Sequence, residues 1–405
     1  MAMQIVGDIL RGIIAGGLVL AGILVILIWV KDKTEKVSAL RLFIQIAFVP
    51  LIFLGLIIGP FGLPQNPPVG NAPRQVLLGA DTFGTQVPDG LSVPVLACWY
   101  PSGRTVTCPV WQLQAYIFPF WDTGSGFGWG VYYTTSGLER LAIVIGLVIV
   151  MAIVLGRFFC GWICPFGLYM DLMIRVRKIF KKPHLSFSER TNTALRQSRY
   201  VIIAVFLILS VILGSQAIFG TQLVSNTQRG EYFYSYFTAP FCQVCPMKPL
   251  CVLVEVGLGA MNPLADINYV TGPLYEAGYY VTSLNLIALG IVTVGALAYR
   301  RFWCRICPLG GLTALFSTFK PFKRVALMRL HKVEEKCTKC GICKRVCPTQ
   351  VTEVYEEKGG DVTTSGCMLC FRCVEMCPYE DALQVKFAGK TVFRSRNWLE
   401  PSKIE

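Results

Sequence analysis

The chain has 405 residues, 54% hydrophobic and only 15% charged, with a mean hydropathy of +0.53. A soluble domain of this size carries about a quarter charged residues, so most of the chain is expected in lipid and a minority in an aqueous domain. The formal net charge of +14 gathers in short links beside apolar runs, which argues for membrane topology and against a nucleic-acid footprint.

In chain order, Gly12 to Val30 is an uncharged apolar run long enough to cross a bilayer as a helix, and it reads as a retained anchor. A charged link, residues 31–36, leads to a second span from about Leu42 to Gly59, with a kink at Pro50. A Pro/Gly-rich loop follows, from Pro60 to about Gly137. The third span covers about Leu138 to Phe159, the fourth about Tyr200 to Phe219 and the fifth about Tyr279 to Tyr299. Lys31, Lys33, Lys36 and Arg41, then Arg175, Arg177, Lys178, Lys181 and Lys182, then Arg300, Arg301 and Arg305 all fall on one side. The positive-inside rule makes that side the cytoplasm and puts the amino terminus outside. The expected fold is mostly α: a polytopic transmembrane helical domain of about five spans, followed by a C-terminal α+β dicluster ferredoxin-like domain. Its divisions are residues 1–59 (two transmembrane helices), 60–137 (extracytoplasmic loop), 138–320 (transmembrane core), 328–390 (cytoplasmic ferredoxin domain) and 391–405 (tail).

The ferredoxin expectation rests on two cysteine runs. C-T-K-C-G-I-C-K-R-V-C-P spans Cys337 to Pro348, and C-M-L-C-F-R-C-V-E-M-C-P spans Cys367 to Pro378. Both are C-x2-C-x2-C-x3-C-P, in which three cysteines wrap one [4Fe–4S] cluster and the fourth ligates the other. Cys337, Cys340, Cys343 and Cys377 are therefore assigned to one cluster, and Cys367, Cys370, Cys373 and Cys347 to the second. Zinc gives no reason for eight cysteines in this interleaved order. Two histidines, His184 and His331, lie outside the apolar segments and no C-x-x-C-H occurs, so no haem is expected. Lys344, Arg345 and Arg372 beside the clusters read as a solvated face or as an attraction for an acidic partner.

An internal repeat precedes these runs. Span three ends Arg157-Phe-Phe-Cys160-Gly-Trp-Ile-Cys164-Pro-Phe-Gly167, and span five ends Arg301-Phe-Trp-Cys304-Arg-Ile-Cys307-Pro-Leu-Gly310. Pro after the second cysteine is expected to stop each helix, with Gly permitting the turn. Cys160, Cys164, Cys304 and Cys307 could hold a third cluster or a redox thiol site, or simply pack helix ends as small apolar side chains. Cys242, Cys245 and Cys251, in C-x2-C-P-x4-C, offer three ligands for a further cluster without an identifiable fourth. Cys98 and Cys108 in the long loop could complete that cluster or form a disulfide with each other. The aromatic-rich stretch Trp99 to Tyr133, including Trp111, Tyr116, Trp121 and Trp129, reads as an interfacial belt, with a quinone pocket or docking face as the sharper alternative. Ionisable residues are nearly absent from the spans, which argues against an ion pump.

From about Leu138 to Glu380, the paired C-x3-C-P-x-G and C-x2-C-P-x-G exits followed by a dicluster run resemble the NapH/NosR/MauN group of membrane polyferredoxins. The oxidase-assembly protein CcoG is a more distant relative. The resemblance implies electron transfer between a membrane carrier such as quinone and a partner redox enzyme, with the chain an electron-transfer subunit rather than a stand-alone enzyme. The rival implication, from CcoG, is an assembly factor supplying electrons for metal-centre biogenesis. NosR carries a covalently flavinylated outer domain, whereas no S-G-A-T-type attachment motif occurs here, so no covalent flavin is expected.

Overall fold

A computed structural model describes residues 20–25, 36–53, 95, 108–117, 135–181, 183–213, 239–257, 281–318 and 326–396. Most of the first span, most of the long loop, Cys98 and most of the aromatic-rich stretch lie outside the described residues. By internal contacts the chain forms two compact units. One comprises residues 1–15, 49–148 and 200–294, the other residues 16–48, 149–199 and 295–405.

The described helices are α1 (Lys36–Phe53), α2 (Pro109–Ile117), α3 (Thr135–Leu155), α4 (Phe158–Trp162), α5 (Pro165–Ile179) and α6 (Glu189–Leu213). They continue with α7 (Pro240–Gln243), α8 (Lys248–Gly257), α9 (Ser283–Ala298), α10 (Trp303–Ile306) and α11 (Pro308–Thr318). Among the described residues one helix is long and apolar enough to cross a membrane, over Glu189–Ile212, and Ser283–Ala298 is a shorter apolar helix. Val201, Ile208 and Val211 on α6, and Leu286, Ile291 and Val294 on α9, stay exposed in the isolated chain. An apolar stripe of this kind has no reason to persist against water.

Helix starts follow ordinary capping chemistry. Ser188 caps α6, its Oγ accepting from Thr191 N at 3.2 Å. Thr282 and Asn285 cap α9 reciprocally: Asn285 N donates to Thr282 Oγ1 at 3.2 Å and Thr282 N donates to Asn285 Oδ1 at 3.0 Å. The sequence places the start of the fourth apolar helix near Tyr200, yet α6 begins at Glu189. Its polar first turns have tertiary partners. Asn192 Nδ2 donates to Gln350 O at 3.0 Å, Arg196 pairs with Glu353 at 2.7 Å, and Arg199 donates to Ser365 O at 3.2 Å.

The cysteine–proline exits depart from expectation. Pro165 and Pro308 do not end helices; they open α5 and α11. Proline at a first helical position gives up an amide that has no acceptor anyway, and its fixed φ suits the helix. Gly167 and Gly310 consequently make no turn. They lie inside α5 and α11 where a side chain would collide with an arginine, as described below.

The C-terminal domain is α+β. Strands β1 (Met328–Lys332), β2 (Gly360–Asp361), β3 (Leu383–Phe387) and β4 (Lys390–Arg394) form one antiparallel sheet in the order β2-β1-β3-β4. Leu330 lies opposite Val385 across β1 and β3. Both point into a core shared with Val351, Val354, Val362, Val374 and Leu383. The short helices α12 (Ile342–Val346), α13 (Glu353–Glu356) and α14 (Arg372–Glu375) carry or flank the cysteine runs over this core. Leu330 is 1% exposed. Leu330→Ala should therefore cost about 2–5 kcal/mol of domain stability, whereas Val392→Ser, at a position 69% exposed, should stay within about 0.5 kcal/mol. Urea midpoints of the two variants against the native protein check this; equal shifts would mean the core is misassigned.

Candidate functional site

The two cysteine runs of the C-terminal domain repeat in backbone as well as in sequence. Lys339 and Gly341 in the first have φ of 55° and 74°, and Leu369 and Phe371 at the matching places in the second have 49° and 58°. Left-handed residues of this kind belong to turns whose backbone N–H groups can line an anion-binding concavity. Phe371 is a bulky residue in a region that favours glycine, so its conformation is held by packing, against Trp162 at 5.4 Å and Phe393 at 6.4 Å between ring centres.

The thiols group across the two runs. Burial first, then the neighbouring thiolates of Cys337, Cys340 and Cys377, push the Cys343 thiol up to about 11 against a hydrogen bond from the Lys344 backbone. Burial, with the thiolates of Cys370 and Cys347 adding to it, pushes Cys367 up to about 12 against a hydrogen bond from Leu369. Cys373 is driven well up by burial and then by Cys367, Cys370 and Cys347, with Cys343 contributing least. The interleaved sets named from the sequence are thus each brought together. One hollow is lined by Cys337, Cys340, Cys343 and Cys377, another by Cys347, Cys367, Cys370 and Cys373, with Cys343 at the rim of both. Crowded thiols that resist ionisation lose their protons readily only to cationic metal, which is what a cluster's irons supply. Among the described residues no three His, Cys, Asp or Glu side chains converge tightly enough for a single metal ion. Thiols spread around a hollow instead fit a polynuclear cluster, where each iron takes its own sulfur. Amide and hydroxyl groups also reach the sulfurs. Val351 N donates to Cys347 Sγ at 3.3 Å and Thr349 Oγ1 lies 3.6 Å from the same atom.

The cysteine–proline repeat forms a second centre. Cys160, on α4, lies near enough to Cys304, on α10, for their charges to interact, and Cys307 feels Cys160, Cys164 and Cys304. The structure therefore places these four thiols near one another. What the sequence reading missed is the role of the two arginines that open the repeats. Arg157 donates to Cys304 O at 3.1 Å, and Arg301 donates to Cys160 O at 2.9 Å, so each repeat grips the other's first cysteine. Each guanidinium lies on the other repeat's glycine. A Cβ at Gly310 would sit 2.7 Å from Arg157, and one at Gly167 would sit 2.8 Å from Arg301. Arg301 is fully buried and paired with Asp171, and its NH1 lies 4.0 Å from Cys304 Sγ. The signal that could have found this lock is the shared R-F-x-C at both exits.

The two centres adjoin directly. Trp162 Nε1 donates to Leu369 O at 2.9 Å, and Arg157 donates to Ser365 O at 3.1 Å, just ahead of Cys367. At Gly161 a Cβ would come within 2.6 Å of Met368 O, so only glycine lets the Cys160–Cys164 loop press against the Cys367–Cys370 loop. Gln45 of α1 closes the same spot, Nε2 donating to Gly161 O at 3.0 Å. The charged residues near the clusters are engaged internally. Arg372 bonds Glu375 at 2.6 Å and Ser38 at 2.9 Å, Arg345 donates to Cys340 O at 3.0 Å, and Lys344 lies 3.7 Å from Glu356. His331 pairs with Asp361 at 3.3 Å on the sheet, away from both centres. Cys108, Cys242, Cys245 and Cys251 all belong to the other compact unit.

Family models match three segments of the chain. A 4Fe-4S binding domain covers residues 137–183 and again 282–325, and a 4Fe-4S dicluster domain covers 329–378. The first two matches contain the two cysteine–proline repeats and the third contains both cysteine runs. An uncharacterized protein of Methanocaldococcus jannaschii, MJ0750, is 29% identical over 60% of this chain and 78% of its own. The putative electron transport protein YccM of Escherichia coli is 24% identical over 62% of this chain and 58% of its own. The ferredoxin-type protein NapH of the same organism is 25% identical over 55% and 59%. The chain thus spans less than two thirds of the length of both Escherichia coli relatives. No solved structure matches the chain. The chain carries 4Fe-4S binding domains that take several [4Fe–4S] clusters, and it is similar to the ferredoxin-type and electron transport proteins NapH and YccM.

Proposed function

We propose that the chain is a multi-pass membrane protein carrying electrons between a membrane-dissolved carrier, quinone or quinol, and a partner redox enzyme. The names of YccM, a putative electron transport protein, and NapH, a ferredoxin-type protein, agree with this reading. The observation that carries it is the direct contact of the two cysteine centres through Gly161, Trp162 and Arg157. In this reading Cys337, Cys340, Cys343 and Cys377 hold one [4Fe–4S] cluster and Cys347, Cys367, Cys370 and Cys373 a second. Cys160, Cys164, Cys304 and Cys307 hold a third, at the end of the membrane spans. Bound there, each cluster would accept and return one electron at a potential set by burial and hydrogen bonding.

The chain's own residues set those conditions. Arg157 and Arg301 bring two positive charges to a set of four thiolates, which favours the more negative, reduced state there. Val351 N and Thr349 Oγ1 act on Cys347 in the same direction in the neighbouring set. Phe158, Trp162 and Phe371 form an aromatic wall where the centres meet, with ring centres 5.3 to 6.1 Å apart, and this wall excludes water from the contact. The exposed apolar faces of α6 and α9 suit lipid, and the basic residues at one end of the apolar segments favour a cytoplasmic C-terminal domain by the positive-inside rule.

Two measurements test this reading. Cys304→Ser should remove about four iron atoms per chain while the C-terminal domain keeps its EPR signals. Reduced through a soluble low-potential donor, the same variant should pass electrons to a quinone analogue at least about tenfold more slowly than the native protein. An unchanged rate would end the relay reading. The native protein should also remain in the pellet when membranes are washed with alkaline carbonate; release into the supernatant would exclude membrane integration.

A further inference from the structure

We propose that Cys108, Cys242, Cys245 and Cys251 hold a further iron–sulfur cluster, in the compact unit that contains neither centre described above. Three of these ligands lie in C-x2-C-P-x4-C, a pattern one cysteine short of a cluster. The fold supplies Cys108 as the fourth. Cys108 directly precedes Pro109, which opens α2, just as Cys164 precedes Pro165 and Cys307 precedes Pro308. The chain thus uses the same device, a cysteine seated at a proline helix start, at a third place.

One buried amide ties that helix start to the other cysteines. Gln114, fully buried, donates through Nε2 to Val110 O at 3.0 Å and accepts from Phe241 N at 2.9 Å through Oε1. A single side chain therefore bridges from two residues after Cys108 to the residue before Cys242. Asn285, also fully buried, holds the rest of the loop, donating to Cys242 O at 2.9 Å and to Cys245 O at 3.1 Å. Thr282 Oγ1 donates to Gln243 O at 2.9 Å between them. The capping pair of α9 is thus spent on fixing the backbone on which two of the thiols are mounted, a scaffold that a merely space-filling cysteine does not need.

The surroundings are dry and soft. Cys108, Cys245 and Cys251 are 3%, 3% and 0% exposed, among the buried side chains of Val110, Phe241 and Met247. Buried Lys248 places a cation between Cys245 and Cys251 in sequence, which suits an anionic thiolate-ligated cluster. Thiolates select iron–sulfur clusters, zinc or cuprous copper over hard cations. The inference stands independently of the electron-transfer reading, because it concerns metal content alone.

The test is metal and acid-labile sulfide analysis of the full chain purified without oxygen. Cys108→Ser and Cys242→Ser should each hold about four iron atoms fewer than the native protein. Both variants should keep the EPR signals of the C-terminal domain, and Cys98→Ser should keep the native iron content. Unchanged iron in the first two variants, loss of zinc in place of iron, or loss of iron in Cys98→Ser but not in Cys108→Ser would overturn the assignment. Should the serine variants fold poorly, alkylation of the native protein decides. Cys108, Cys242, Cys245 and Cys251 should resist label while iron is full and take it after chelation; labelling at full iron content would overturn the proposal. Loss of the C-terminal signals on Cys370→Ser, measured in parallel, reports separately on the ferredoxin sites.

Discussion

The reciprocal grip of Arg157 and Arg301 is the constraint on which the centre of this protein depends. Each guanidinium reaches across to the carbonyl of the other repeat's first cysteine and rests on the other repeat's glycine. A buried guanidinium is costly unless it is paired and its donors are used. Here Asp171 neutralises Arg301, and Arg41 approaches the same carboxylate at 3.3 Å. Arg157 Nη1 donates to Ser365 O and Gly366 O, in the loop that leads to Cys367. The same two side chains therefore hold the repeats together, bring charge to four thiols, and attach the C-terminal domain to them. The glycines are needed because any Cβ would push the guanidinium off its carbonyl.

That arrangement explains why the C-terminal domain is not a tethered soluble module. Asn192, Arg196 and Arg199 at the start of α6 bond to Thr349, Gln350, Glu353 and Ser365. Arg305 adds bonds to Asn192, Pro348 and Gln350. At the amino-terminal end of α1, Val37 N donates to Glu375 Oε1 at 2.7 Å. Segments far apart in sequence thus share the work of fixing the C-terminal domain, and Arg157, Trp162 and Arg199 hold its loop through Ser365, Gly366 and Leu369. A loop fixed from so many sides varies little in its distance to the neighbouring thiols, and electron transfer demands a constant short gap more than it demands any reactive side chain.

Much of this was legible in the sequence because cysteine spacing is a discrete code. The interleaved assignment of eight thiols follows from C-x2-C-x2-C-x3-C-P alone, and the structure groups the thiols in the same two sets. The apolar runs likewise announce α3, α6 and α9. What misled the reading was proline. After an apolar run a proline looks like a stop, but Pro165 and Pro308 follow a break already made by the short helices α4 and α10, and so they start new ones. The early start of α6 was hidden for a related reason. Its first turns are polar because they face carbonyls of another domain, and such partners leave no periodic trace in the local sequence.

Cysteine count offers a last step of synthesis. Of 17 cysteines, eight belong to the C-terminal runs and four to the exit repeats, which leaves Cys98, Cys108, Cys242, Cys245 and Cys251. A disulfide framework would pair four of these five and leave one over, while a cluster takes four and also leaves one. Parity therefore does not discriminate between them, and the backbone does. Asn285 and Gln114 spend buried amides on holding the chain beside Cys108, Cys242 and Cys245 in place. A disulfide fixes its own two half-cystines and needs no such brace, whereas four separate thiols must be positioned before a cluster can join them. Bracing of this kind around Cys160 and Cys304 is supplied by arginines, and around Cys108 and Cys242 by amides. The arginines bring positive charge to the set next to the C-terminal domain, and buried Lys248 lies between Cys245 and Cys251 in the other.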